Sequence, residues 1–109
     1  MVFRMLVQSN NANGETYYVG DAAGWGFRVV GWEDGKNFKA GDVLVFRYDP
    51  RVHNVLVTDE AGYTSCVPPS AQKYDSGNDA ITLGSGDFFF ICGVPGHCEI
   101  GMRIAIHAV

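Results

Sequence analysis

The sequence of 109 residues is poor in positive charge: eight Lys and Arg stand against twelve Asp and Glu, for a formal net charge of −4, and there is no basic run. Binding to nucleic acid or to an anionic membrane surface calls for the opposite imbalance, so neither is expected. Long hydrophobic runs are missing as well. Nothing approaches the roughly 18–20 apolar residues of a membrane-spanning helix. The head of the chain, MVFRMLVQSNNANG, holds a short apolar run broken by Arg4 and then an Asn-rich stretch. It lacks the basic start and the unbroken apolar stretch of about 7–15 residues that mark a complete signal peptide. Residues 1–14 are therefore set aside as a leader or mobile N-terminal segment, and 15–109 are read as a single domain. Internal repeats, low-complexity tracts and interdomain linkers are also absent.

What is present is a β pattern. Short apolar or alternating runs rich in β-branched and aromatic residues lie between turns rich in glycine, asparagine and aspartate. Strands are expected at Thr16–Val19, Val43–Tyr48, His53–Thr58, Tyr63–Val67, Ala80–Leu83, Asp87–Cys92 and Met102–Ala108. Turn signals fall at Ala40-Gly41-Asp42, Asp49-Pro50, Glu60-Ala61-Gly62, Gly77-Asn78-Asp79 and Gly84-Ser85-Gly86. Pro69–Lys73 is the one stretch suited to a helical turn. Strands at this spacing predict an all-β sandwich or barrel. Val43, Val45, Leu83, Phe88, Phe90, Ile104 and Ile106 are read as its core, and Trp25 and Trp32 as bulky packing near its ends.

Cysteine and histidine are scarce, at three each, so their positions carry weight. Cys92, His97 and Met102 stand around one Gly/Pro turn, Gly93-Val94-Pro95-Gly96, with His53 near the start of another expected strand. Singly, each has an ordinary explanation: a buried thiol, a strand-end or loop histidine, a core methionine. Together they offer a thiolate, two imidazoles and a weak thioether, the His₂Cys set with a long axial Met that suits blue copper. Soft sulfur favours Cu(I) and nitrogen favours Cu(II), so a site held between the two changes little on reduction. His107, which lacks such a setting, is read as structural. An odd cysteine count leaves one bridge and one reserved thiol.

Around these residues the chain resembles the phytocyanins, a plant branch of the cupredoxins, and is most similar to their plantacyanin subgroup. The resemblance runs from Tyr17 onward. It is carried by Gly24-Trp25, by Phe38 to Phe46, by His53-Asn54-Val55 and by Tyr63 to Cys66. Tyr74 to Gly77, and Phe89 through Cys98 to Met102, complete it. It implies a Greek-key β-sandwich of about seven to eight strands with at most a short helix, holding one type 1 copper. The implied ligands are His53, Cys92, His97 and axial Met102, with Asn54 steadying the loop beside the thiolate. The implied disulfide is Cys66–Cys98, the pair that remains once Cys92 is the thiolate. Met102 separates the chain from the stellacyanin-like branch, where a glutamine is axial. The acidic balance departs from the basic members of the family.

The function expected is transfer of single electrons by a secreted protein of the plant cell wall or apoplast, and not catalysis. Its partner would be a redox protein or a small-molecule reductant docking near His97, over a small apolar patch of Val94, Pro95 and residues near Gly31-Trp32. A monomer is expected. Up to Val109 there is no Pro/Ser-rich tail or hydrophobic anchor signal, so a soluble extracellular form is expected over a membrane-tethered one. Oxygen reduction to water needs four electrons, and His107 is the only histidine left for a further metal. A hydrolytic triad has no unassigned nucleophile beside a His/Asp pair. Zinc held by His53, Cys92, His97 and Cys98 would need adjacent side chains to face one ion and would leave Met102 unexplained. A copper-containing cell-wall or signalling module whose main role is partner binding stays open as the alternative.

Overall fold

Apolar pairs facing one another across two sheets set the architecture. In the computed structural model, which describes residues 14–68 and 71–109, β1 (Thr16–Tyr18) runs parallel to β2 (Val43–Arg47). β2 in turn pairs antiparallel with β5 (Asn78–Thr82). The second sheet has the order β4 (Gln72–Tyr74), β3 (Val55–Thr58), β6 (Gly86–Ile91), β7 (Arg103–Ala108), with every neighbour antiparallel. One short helix, α1 (Glu60–Ser65), and two single 3₁₀ turns, Asp21–Ala23 and Cys98–Ile100, complete the elements. This is the expected all-β sandwich. The leader assigned to 1–14 lies, apart from Gly14, outside the described residues. No described helix is long and apolar enough to cross a membrane.

The core sits between the sheets. Phe46 of β2 meets Phe90 of β6 with ring centroids 5.1 Å apart, and the buried Trp25 packs edge-on against Phe46 at the same separation. Leu44, Val55 and Ile104 fill in around them. Burial of each such side chain contributes about 1.5–3 kcal/mol. On β2 the inward residues are Leu44 and Phe46, and the expected pair Val43 and Val45 is only half-buried. The run Val43-Leu44-Val45-Phe46 is apolar on both faces, so alternation alone leaves the phase unset, and the larger side chains occupy the interior.

Two expected elements differ. Tyr63–Val67 was expected as a strand, yet residues 60–65 are helical. The Asp59 side chain caps the helix by accepting the Gly62 N–H at 2.8 Å. At the other end Arg103 Nη1 donates to the Tyr63 carbonyl at 2.8 Å, filling an acceptor that the helix leaves open. Tyr63 packs on Phe89, 5.5 Å between centroids. The cap and these long-range contacts override the β preference of Tyr63 and Thr64. Pro69–Lys73 does not form the expected helical turn where it is described: Gln72 and Lys73 belong to β4 and pair with Val57 and Leu56.

Below the core, Asp42 is fully buried and binds three donors. These are the backbone N–H of Glu15 (2.9 Å), the backbone N–H of Lys39 (2.9 Å) and the Lys39 ammonium (3.2 Å). Burial by itself would raise the Asp42 carboxyl; the Lys39 and Glu15 N–H groups and the Lys39 charge outweigh it and hold the carboxyl below its ordinary value. Cys66 and Cys98, separated by 32 positions in sequence, are joined, tying the end of α1 to the 3₁₀ turn at Cys98.

Removing that bridge by a Cys66→Ala/Cys98→Ala double substitution is expected to cost about 3–4 kcal/mol and to lower Tm by on the order of 10–25 °C in thermal melts. Asp42→Asn keeps an acceptor oxygen but turns an amide toward a donor, with an expected loss of about 1–3 kcal/mol near neutral pH. The lowered carboxyl stabilises the fold fully above the unfolded-state value of about 3.9, and that stability is lost as pH falls toward the still lower folded-state value. Denaturant unfolding at stepped pH should therefore show a shallower acid loss in Asp42→Asn than in the parent protein; equal slopes would contradict the assignment.

Candidate metal centre

Three segments converge at one end of the second sheet. β6 delivers Cys92 one residue past Ile91, and the Cys92 N–H donates to the Met102 carbonyl at 3.0 Å. From there the chain turns through Val94 to His97, whose N–H donates to the Val94 carbonyl at 3.0 Å; Gly96 turns with φ +85°. The His97 carbonyl accepts the N–H of Ile100 (3.1 Å) and of Met102 (3.2 Å), which folds the loop back onto β7. His53 comes from the turn before β3, where the Asp49 carbonyl accepts both the Val52 and the His53 N–H at 3.0 Å. Strand β3 begins at Val55, so His53 and Asn54 lie in this connection and not on the strand.

The result is a compact triad. His53 Nδ1 and His97 Nδ1 are 3.0 Å apart, and Cys92 Sγ lies 3.5 Å from His97 Nδ1 and 3.9 Å from His53 Nδ1. Metal–nitrogen bonds of about 2.0 Å and metal–sulfur bonds of about 2.3 Å place neighbouring ligand atoms roughly 3–4 Å apart, the range occupied by these three. Two imidazole nitrogens and one thiol match the donor preferences of copper. Among the described residues this is the cluster of histidine, cysteine and acidic side chains placed to hold an ion. Cys92 is buried and unbridged, and Met102 is fully buried in the same core cluster.

The surroundings hold the triad in place. Asn54 Oδ1 accepts the Gly93 N–H at 2.6 Å, locking the residue after Cys92 to the residue after His53. The Asn54 carbonyl in turn accepts the Trp25 indole N–H at 2.9 Å. A Cβ at 93 would stand 2.5 Å from Leu56 Cδ1, so a larger residue there would force the Leu56 side chain to shift. Burial pushes the His53 imidazole below its ordinary value, the nearby His97 adds to this, and Asp49 opposes both. The net shift keeps a lone pair available to a metal in mildly acidic solution.

The structure thus brings His53, Cys92 and His97 together, sets Asn54 against their loop, and joins Cys66 to Cys98 directly after His97. His107 sits apart, 2.7 Å from Asp87 near the opposite end of β6. Phe27 was not singled out from the sequence. Its ring stands edge-on to both imidazoles, 5.3 Å from His53 and 4.7 Å from His97, and is 46% exposed. The segment that carries it is bonded to the ligand loop through Arg28 N–H to the Ile100 carbonyl and Val30 N–H to the Gly101 carbonyl, each 3.0 Å. Only the nearby Gly24-Trp25 motif hinted at this region, since the contact spans some seventy residues of sequence.

Known proteins resemble this chain in sequence and fold. A family profile described as a plastocyanin-like domain matches residues 25–102. A basic blue protein of Arabidopsis thaliana is 51% identical over 96% of this chain and 82% of its own length, and a chemocyanin of Lilium longiflorum is 51% identical over 89% and 78%. The solved structure of cucumber basic protein, a blue copper protein, superposes with a TM-score of 0.85 at 46% identity, over 86% of this chain and 99% of that one. The chain therefore belongs to the phytocyanin family of plant blue copper proteins, of the basic-blue-protein (plantacyanin) kind, and its cofactor is copper.

Proposed function

We propose that the protein is a secreted carrier of single electrons and not an enzyme, with His53, Cys92 and His97 as the principal copper ligands and Met102 as the weak axial one. The convergence of two Nδ1 atoms and one thiol within 3.0–3.9 Å carries this reading. Copper held by such a set supplies a one-electron couple, sulfur suiting its reduced state and nitrogen its oxidised state. The chain's part is to keep the ligand atoms where they are in both states. Backbone hydrogen bonds from Cys92 to Met102 and from Met102 to His97, together with the Asn54–Gly93 clamp, resist the rearrangement that either state alone would favour. Burial of Cys92 and Met102 excludes water from the sulfur side.

His97 is half-buried beside the exposed Pro95 and Gly96, which makes its outer edge the route for electrons. Phe27, Val30, Val52 and Ile100, each about half exposed, extend this into an apolar rim that a redox protein or a small reductant would meet. Val94, expected in the same patch, packs partly against the core. Two of the chain's three histidines enter the triad and the third pairs with Asp87, which supports a single-metal carrier over multi-electron catalysis. The Cys66–Cys98 bridge supports an oxidising, extracellular compartment.

Addition of Cu(II) is expected to give an intense visible band that ascorbate bleaches. Cys92→Ser should abolish the band without unfolding the protein, and a retained band in that variant would overturn the assignment of the thiolate. Met102→Gln should lower the reduction potential in a redox titration, because an amide oxygen stabilises the oxidised ion more than a thioether does. Phe27→Ala should expose both imidazole edges and speed reduction by ascorbate in stopped-flow measurements, with stability changed by less than about 1 kcal/mol because the ring is half exposed; an unchanged rate would remove the shielding role.

A further inference from the structure

One cavity lies away from the metal centre. It is an open cleft of about 660 Å³ whose lining includes Tyr17, Tyr18, Trp32, Tyr48, Asp21 and Arg47, and it contains none of the triad residues. Its aromatic rings are held in place from behind. Tyr17 packs edge-on against Phe38 at 4.8 Å and Trp32 at 6.4 Å, and its hydroxyl donates to the Asn37 carbonyl. The Tyr48 hydroxyl donates to Asp79, and the Trp32 indole N–H donates to Asp21 Oδ1 at 3.0 Å. With these polar atoms engaged, the cleft offers fixed ring surface beside its exposed polar groups.

Its two charges are the unusual feature. Arg47 stacks its guanidinium over the Tyr18 ring at 4.3 Å, and among the described residues it has neither an ion-pair nor a side-chain hydrogen-bond partner, in a chain with an excess of acid. A guanidinium stacked on a ring keeps its edge donors free, arranged to grip a carboxylate with two bonds. Asp21 has left-handed backbone, φ +57°, a conformation that few non-glycine residues adopt and that gathers at binding sites. The indole occupies part of its acceptor capacity and leaves room for a donor from a ligand.

We propose that this cleft binds a small aromatic acid, a planar ring laid against the aromatic side chains of the cleft with its carboxylate held by Arg47 and a hydroxyl donating to Asp21. Aromatic rings beside an arginine that has no ion-pair partner among the described residues suit an aromatic carboxylate. The site stands apart from the copper-carrier reading, and its test does not depend on it.

The probe is 4-hydroxybenzoate, titrated into the full-length reduced copper protein while the two indole N–H resonances are followed by nuclear magnetic resonance. Saturable movement of the Trp32 signal with Kd of about 1 mM or tighter is expected, with the Trp25 signal, whose donor is bonded to the Asn54 carbonyl, staying in place. Arg47→Gln should weaken binding about tenfold or more while leaving the weaker binding of neutral phenol nearly unchanged. Arg47 is exposed, and the Trp25 signal reports whether the variant is folded. Cys92→Ser should bind as the parent does, so a failed metal assignment leaves this result standing. Absence of saturation, equal affinity in Arg47→Gln, or displacement of the aromatic acid by equimolar galacturonate would each overturn the proposal.

Discussion

Strand register is the constraint on which the site depends. β6 pairs on one side with β3, Leu56 opposite Ile91, and on the other with β7, Ile91 opposite Arg103. Cys92 therefore leaves the sheet between the segment that holds His53 and Asn54 and Met102, the residue just before β7. Side chains alternate with a period of two, so a slip of one residue in either pairing would turn the thiol to the other face. Large buried residues resist such a slip. Phe90 and Ile104 are opposite one another on the inner face, and Phe90 rests on Phe46 of the other sheet. Packing energy spread over the core is in this way converted into positional accuracy at one end of it.

Hydrogen bonds then fix what register leaves loose. The Gly93 N–H and the Trp25 indole both end on Asn54, one on its side chain and one on its carbonyl. A loop from the first part of the chain, the His53 turn and the Cys92 turn are thereby joined through a single residue. Buried polar groups that are all satisfied make a rigid network, whereas an unpaired one would loosen it. Rigidity of this kind suits the one-electron role proposed for the site, since reorganisation on each transfer would slow it. Phe27 extends the same logic outward by standing its ring against both imidazoles, limiting their rotation and their contact with water.

Much of this was legible in the residues. Cys92, His97 and Met102 around one Gly/Pro turn announced a soft-metal site, because three local residues with complementary chemistry share one loop. His53 entered as the upstream imidazole near the start of an expected strand, whereas Asn54 became assignable through the family resemblance, since nothing in sequence spacing ties it to Cys92. Phe27 escaped because its role exists only after the 28–30 segment bonds to residues 100–101. The phase of β2 escaped because four consecutive apolar residues leave both faces alike. Helix α1 escaped because Asp59 acts as a cap only when Arg103 and Phe89 hold the far end of a helix too short to persist alone.

The placement of sulfur also follows a physical logic. Under oxidising conditions three thiols could form a bridge between any two, and a bridge that used Cys92 would remove the ligand. Thiol–disulfide exchange requires access to the sulfur and a share of thiolate. Cys92 is about 1% exposed, deep between β3 and β7, whereas Cys66 lies at the exposed end of α1 in a left-handed cap position, φ +61°, directed to Cys98. The bridge anchors Cys98 one residue after His97, so the same bond that consumes the two competing thiols also fixes the imidazole. Folding of the sandwich around Cys92 thus protects the metal-binding sulfur by burial, and the remaining two sulfurs reinforce the loop that meets it.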